Sequence, residues 1–140
     1  MKTVRNATHI VGRLERGEET IESLLELVRE HPGLFGRITA IGAADEVEFS
    51  IFDTATKEYE RTTLRQATEI TDLSGLLGRM GDEPYVHVHA NFGLADGSVV
   101  GGHVNRAVIS GTLEFVVDVL DFDIDRFYDD DVGLNLLKID

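Results

Sequence analysis

The first third of the chain combines a short apolar stretch with a helical pattern. Residues 8–19, THIVGRLERGEE, begin as an apolar strand that leads to a turn at Gly17. In the next segment the apolar positions recur at i, i+3, i+4 and i+7, the spacing of one helical face: Ile21, Leu24, Leu25 and Val28. Thr20 is the expected N-cap. The helix should end at His31, because a residue before proline disfavours the helical conformation.

The rest of the chain alternates polar and apolar positions in the manner of strands. The runs with this pattern are 36–53, 57–80, 85–92 and 104–121, with one more expected at 132–139. The segment 112–121 is long enough for a helix, but its β-branched residues and Gly111 favour a strand. One helix among many strands with short connections predicts an α+β fold, a single domain over 1–140 with a mostly antiparallel sheet.

Composition limits the classes of function. The absence of Cys excludes disulfides, thiolate metal ligands and Cys nucleophiles, and it fits a cytoplasmic protein. The 26 acidic and 13 basic residues give a net charge of -13. Nucleic-acid binding depends on neutralising phosphates, so this balance argues against it. No apolar run resembles a signal peptide or the roughly 18 residues of a membrane span, so a soluble protein without a membrane segment is expected.

Three of the five histidines lie in the segment 85–105, YVHVHANFGLADGSVVGGHVN. Side chains alternate along a strand, so His87 and His89 should share one face, about 6.6 Å apart at roughly 3.3 Å per residue. Asp96-Gly97 is a two-residue turn signal, and a strand returning after it would place His103 beside the first two. The glycines that precede His103 indicate a bulge or a place where something approaches the backbone closely.

Three imidazoles with an open fourth position are typical of catalytic zinc sites. Imidazole also binds Cu, Fe and Ni, so the ligand type does not identify the metal. The alternative is that the three side chains share a face by chance. The HxH pair followed by a third histidine across a turn favours a site for zinc or another transition metal, with His87, His89 and His103 as ligands.

Five further residues are weaker candidates for supporting the site or binding a ligand. Asn105 and Asn91 each follow a histidine by two residues and share its face if the strand is regular. Glu69 and Glu114 are carboxylates in apolar patterns, which either face solvent or pair with a ligand histidine. Arg106 could orient an anionic ligand. P-loop, GxGxxG and GxSxG motifs are absent, and no catalytic residue can be named, so whether the protein is an enzyme stays open.

Four segments resemble, in the expected order, the plant and prokaryote conserved (PPC) domain, also called the domain of unknown function 296. They are LERGEETIESLLELV, GRITAIGAADEVEFSIFD, EITDLSGLLG and PYVHVHANFGLADGSVVGGHV. The similarity covers about residues 8–120. Its most specific parts are LxxGEE before the helix, IxxxGA, LSG, and HxH followed by GGH.

The resemblance implies a compact, mostly antiparallel domain that assembles as a homotrimer. Its fold would be similar to that of acetolactate decarboxylase, an enzyme that holds zinc with three histidines. Prokaryotic members are proposed to bind metal through their three histidines, which here would be His87, His89 and His103. Plant members carry AT-hooks that bind DNA, and stand-alone members are therefore labelled predicted DNA-binding proteins. This chain has no AT-hook and is acidic, so that label fits it poorly.

Two hypotheses follow. The first is a metal-binding trimer that binds or processes a small oxygen-containing ligand, which needs an open coordination position in a pocket with Asn105 or Arg106 aimed at the ligand. The second is a trimeric interaction or regulatory module that binds other proteins or DNA, with the metal structural or absent. That hypothesis needs a broad exposed apolar or basic surface away from the histidines.

Overall fold

The computed structural model describes residues 1–139 as nine strands and one helix. The elements are β1 (Lys2–Arg5), β2 (His9–Glu15), α1 (Thr20–Glu30), β3 (Gly36–Asp53), β4 (Glu58–Leu64), β5 (Thr68–Met80), β6 (Glu83–Gly93), β7 (Val99–Val119), β8 (Arg126–Asp129) and β9 (Leu134–Leu137). Seven strands form one antiparallel sheet in the order β1-β2-β7-β6-β5-β3-β4, and β8 pairs with β9. The predicted α+β fold with one helix and a mostly antiparallel sheet is confirmed.

The sheet closes on itself, because β3 pairs with β7 as well as with β5. The strands β3, β5, β6 and β7 therefore form a ring around the hydrophobic core. The run 36–53 forms one continuous strand, β3, with a bulge that causes register shifts on both sides of Gly42. A Cβ atom at Gly42 would lie 2.3 Å from the carbonyl oxygen of Thr112, so only glycine fits there.

The helix α1 packs against β5, β6 and β7. It ends at Glu30 with His31 as the C-cap, as predicted, but its N-cap is Glu19 and not Thr20. The physical reason is tertiary: the Glu19 carboxylate accepts from first-turn amides and also from the backbone N–H of Ala107, at 2.9 Å. Thr20 is buried, and its hydroxyl donates to the Ala107 carbonyl at 3.0 Å. The buried face includes Leu27, which the predicted stripe omitted.

Long-range pairing explains the other differences from the predicted elements. The segment 112–121 lies mostly in β7, so the strand interpretation is confirmed, and Gly111 does not interrupt it. The hairpin between β6 and β7 has a five-residue loop, 94–98, where a two-residue turn was expected; Asp96 accepts from the Ser98 amide at 2.9 Å and stabilises the longer loop. The strands β1 and β8 were not predicted. No helix among residues 1–139 is long and apolar enough to cross a membrane.

Candidate metal centre

The hairpin of β6 and β7 brings the three predicted histidines together. His89 lies directly opposite His103 in the strand pairing, and His87 precedes His89 by two residues on the same face of β6. The ring centroids are 5.2 Å apart for His87 and His89, and 5.3 and 5.6 Å from those two rings to His103. One nitrogen from each ring lies within 4.8 Å of the other two. The cluster is formed within a single chain.

The two glycines before His103 explain how β7 reaches this position. A Cβ atom at Gly101 would lie 2.1 Å from the carbonyl oxygen of Ala90 on β6, and one at Gly102 would lie 2.6 Å from that of Ser50 on β3. The close approach that the sequence indicated is therefore that of the two neighbouring backbones. Glycine at both positions lets β7 pass between β6 and β3 and present His103 beside His89.

Burial makes two of the imidazoles poor bases. It is the main cause that lowers the pKa of His87 to about 4, with smaller contributions from the positive charges of His103, Arg126 and His89. Burial and the charge of His89 also lower the pKa of His103. Both rings are therefore neutral near pH 7, the state in which an imidazole can bind a metal ion.

The chemistry of the three side chains fits a transition-metal ion. Nδ1 of His103 is buried without a hydrogen-bond partner among residues 1–139, a costly arrangement for a polar atom. The ligands of a tetrahedral zinc ion, with bonds of about 2.0–2.1 Å, lie roughly 3.4 Å apart. One nitrogen of each imidazole lies within 4.8 Å of the other two, a limit somewhat wider than that spacing. The residues present suit zinc, and equally Cu, Fe or Ni.

The sequence patterns did not identify three side chains that lie near the histidines. The Tyr59 ring on β4 lies 5.6 Å from the His103 ring. Tyr85 precedes His87 by two residues on β6, and the guanidinium carbon of Arg126 on β8 lies 4.8 Å from the centre of the Tyr85 ring. The alternation Tyr-x-His-x-His could have indicated Tyr85. Nothing in the sequence indicated Tyr59 or Arg126, because only tertiary pairing brings β4 and β8 here.

Asn105 lies next to the histidines, although not by the regular alternation assumed for it. A register shift between β3 and β7 places a bulge at this position. Its Oδ1 accepts from the hydroxyl of Ser50 at 3.4 Å, and Ser50 is the strand partner of His103. Nδ2 of Asn105 is buried and has no partner in the part of the chain that the structure describes.

The other candidates are arranged differently. Asn91 is exposed, two residues beyond His89. Glu69 is exposed, and its partner on β6 is Gly93, about 13 Å along the strand from His89. The remaining two are engaged elsewhere: Arg106 donates to Glu46 at 3.3 Å, and Glu114 lies on the distant half of β7.

A second surface feature lies away from the histidines. It is a groove of about 630 Å³ across β1, β2, β7 and β3, here called the apolar groove. Its exposed apolar side chains, between 37% and 71% accessible, are Val4, Val11, Ile41 and Val116. Charged residues of both signs also line it: Lys2, Arg13, Asp72 and Glu114.

Solved structures share this fold over nearly the whole chain. A protein from Bacteroides thetaiotaomicron, provisionally described as DNA-binding, is 31% identical with a TM-score of 0.93, covering 98% of this chain and 96% of that one. A protein from Archaeoglobus fulgidus described as metal-containing is 28% identical with a TM-score of 0.86, covering 99% of this chain and 100% of that one.

The expected likeness to acetolactate decarboxylase is also found, as a likeness of fold alone. The enzyme from Bacillus subtilis subspecies spizizenii is 16% identical with a TM-score of 0.55, covering 79% of this chain and 52% of that one. A comparison with curated proteins gives no match. The model of the Plants and Prokaryotes Conserved (PCC) domain matches residues 1–121. The chain belongs to this family, as its motifs predicted.

Proposed function

We propose that the protein binds a transition-metal ion, zinc in the first place, through His87, His89 and His103. The observation that carries the proposal is the convergence of three imidazole nitrogens within 4.8 Å, on rings whose burial keeps two of them neutral. The metal-containing relative from Archaeoglobus fulgidus supports it.

The metal would serve a small oxygen-containing ligand. With the ligand at an open fourth coordination position, the metal would polarise its carbonyl. With water at that position, the metal would lower the pKa of the water. In this proposal the ligand would contact Tyr59, whose ring lies 5.6 Å from that of His103, and the pair formed by Tyr85 and Arg126. Asn105 supports His103 through Ser50 in this account, and Asn91 lies at the exposed edge. Among residues 1–139, no carboxylate oxygen joins the three imidazole nitrogens in their cluster.

The proposal includes a cytoplasmic homotrimer, in which the apolar groove is covered by a second copy of the chain. Exposed apolar side chains gathered in one groove mark an interaction surface. Its lining carries both signs of charge, which suits a copy of the same chain better than a nucleic acid. The number of subunits rests on the family resemblance.

The alternative is an interaction or regulatory module, and one observation favours it: the apolar groove is the broad surface away from the histidines that this hypothesis requires. In one form of this alternative the module binds DNA, since the relative from Bacteroides thetaiotaomicron is provisionally described as DNA-binding. A net charge of -13 argues against that version. No retention of duplex DNA at low salt would remove it, whereas tight, salt-sensitive retention would restore it.

Zinc titration by calorimetry, together with cobalt substitution, tests the metal site. We expect one ion per chain, and for cobalt the visible absorption of a four-coordinate ion. His103→Ala should weaken zinc binding by at least about 100-fold, because even residues that only support a ligand are worth roughly 10–100-fold. His9→Ala is the matched control, since His9 is exposed on β2. Equal zinc affinity in His103→Ala and in the native protein would contradict the proposal.

A further inference from the structure

The C-terminal hairpin of β8 and β9 places a cation over Tyr85, near His87. Arg126 opens β8, and its guanidinium carbon lies 4.8 Å from the centre of the Tyr85 ring. Tyr85 shares a face of β6 with His87, two residues away. The guanidinium is close enough for its charge to contribute to the lowered pKa of His87. This hairpin follows the segment 1–121 that matches the family model.

Arg126 has no carboxylate within 4.0 Å among residues 1–139. Three other arginines also have no carboxylate within that distance among residues 1–139, and all three are exposed to solvent: Arg5, Arg16 and Arg29. Arg126 is half-buried, and burial lowers the pKa of its guanidinium. The adjacent Asp125 does not neutralise it, because that carboxylate binds Arg79 at 3.0 Å and the Gly81 amide at 2.9 Å. Within residues 1–139, this half-buried cation therefore has no carboxylate that neutralises it.

The guanidinium is held in place by one hydrogen bond, and its other N–H groups have no partner among residues 1–139. One nitrogen, Nη1, donates to the carbonyl of Asn135 at 2.9 Å. The side-chain amide of Asn135 donates in turn to the Tyr85 hydroxyl at 3.1 Å. Arginine has five N–H donors in a planar fork that matches the two oxygens of a carboxylate. The fork is therefore oriented before any ligand binds.

We propose that Arg126 binds the carboxylate of a small ligand. Another oxygen atom of the same ligand would bind the metal ion held by the three histidines. The inference rests on the proposed metal function. A divalent ion on three neutral imidazoles keeps its full charge, and Arg126 adds another positive charge, so an anion between them is strongly favoured. One guanidinium suits one carboxylate, the smaller anionic charge, better than a phosphate.

Glycolate, which carries a carboxylate and a hydroxyl, is the probe, titrated into the cobalt-loaded protein while the visible spectrum is recorded. We expect glycolate to shift the cobalt bands, and Arg126→Gln to weaken glycolate binding by about tenfold or more while cobalt binds at least as tightly as to the native protein. Arg126→Lys keeps the charge and the stem of the side chain and should bind with intermediate affinity, which separates loss of charge from a folding defect. Arg106→Gln is the matched control and should bind glycolate as the native protein does.

The outcomes distinguish the two proposals. Intact cobalt bands with equal glycolate affinity in the native protein and in Arg126→Gln would overturn the role of Arg126 and leave the metal centre standing. Inorganic phosphate binding as tightly as glycolate, with the same dependence on Arg126, would overturn the assignment to a carboxylate. Absence of cobalt bands in the native protein would overturn the metal centre and this inference together.

Discussion

The two halves of β7 serve surfaces of different character. Its first residues run between β6 and β3, where glycines allow close backbone approach, and carry His103 into a cluster of nitrogen ligands. Its later residues run between β2 and β3 and expose Val116 in the apolar groove. The first half brings one imidazole within a few ångströms of two others, whereas the second half exposes an apolar surface. In the proposed function one strand thus carries both a metal ligand and part of the assembly surface.

The largest expected effect on stability comes from a substitution at Gly101, in the half of β7 that carries His103. In Gly101→Ala the new Cβ would meet the Ala90 carbonyl at 2.1 Å, and backbone cannot give way as a side chain can. We expect a loss of about 2–3 kcal/mol in the free energy of unfolding, at the upper end of overpacking costs, together with weaker zinc binding. Urea unfolding and zinc titration measure the two effects.

Gly111→Ala is the matched control on the same strand. Its Cβ would have one ordinary contact, at 3.8 Å from Ala43. A change within about 0.5 kcal/mol is expected, with zinc affinity intact. Equal destabilisation by the two substitutions would show that the histidine half of β7 is not specially constrained.

The next largest effect is the pH dependence of the stability of the metal-free protein, which should come from the histidine cluster and not from the apolar groove. The pKa of His87 is about 4 in the fold against an ordinary value of 6.5, so between these values the unfolded chain binds a proton that the folded chain does not. Stability conferred by the neutral ring is present above pH 6.5 and is lost as the pH falls. From pH 7.5 to 5 the loss should be roughly 2 kcal/mol, at about 1.36 kcal/mol per pH unit.

Urea unfolding at both pH values, with a chelator present, measures this loss. His87→Gln should lose less stability over the same range. Ile41→Asp, in the apolar groove, should lose as much as the native protein, because the titrating group belongs to the other surface. The same loss in His87→Gln as in the native protein would assign the effect to other groups.

The smallest expected effect concerns assembly. Ile41 is 61% exposed in the apolar groove, and Ile41→Asp would bury an unpaired charge between copies of the chain. The dissociation constant of the oligomer should rise by at least about tenfold, or ~1.4 kcal/mol, with one zinc per chain retained. Light scattering over a dilution series measures the change. Ile51→Asp is the control: Ile51 lies on the same strand, 56% exposed, outside the groove, and an equal effect there would exclude the groove as the interface.

Local spacing predicted the histidine cluster, because alternation places His87 and His89 on one face and a hairpin returns His103 to it. Elsewhere the local pattern did not predict the structure, because contacts between residues distant in the chain determine it. The N-cap moved to Glu19 because a distant strand offers that carboxylate a second donor. Arg126 reaches the site only because β8 and β9 fold beside β6, which no periodicity shows.

The measurement that tests the metal centre most directly is the metal content per chain, by elemental mass spectrometry on tag-free protein, beside His103→Ala. The account predicts near one equivalent of zinc or another transition metal in the native protein and its loss in the variant. No metal in either protein, even after soaking with zinc, would contradict it and leave the apolar groove and an interaction module as the better explanation.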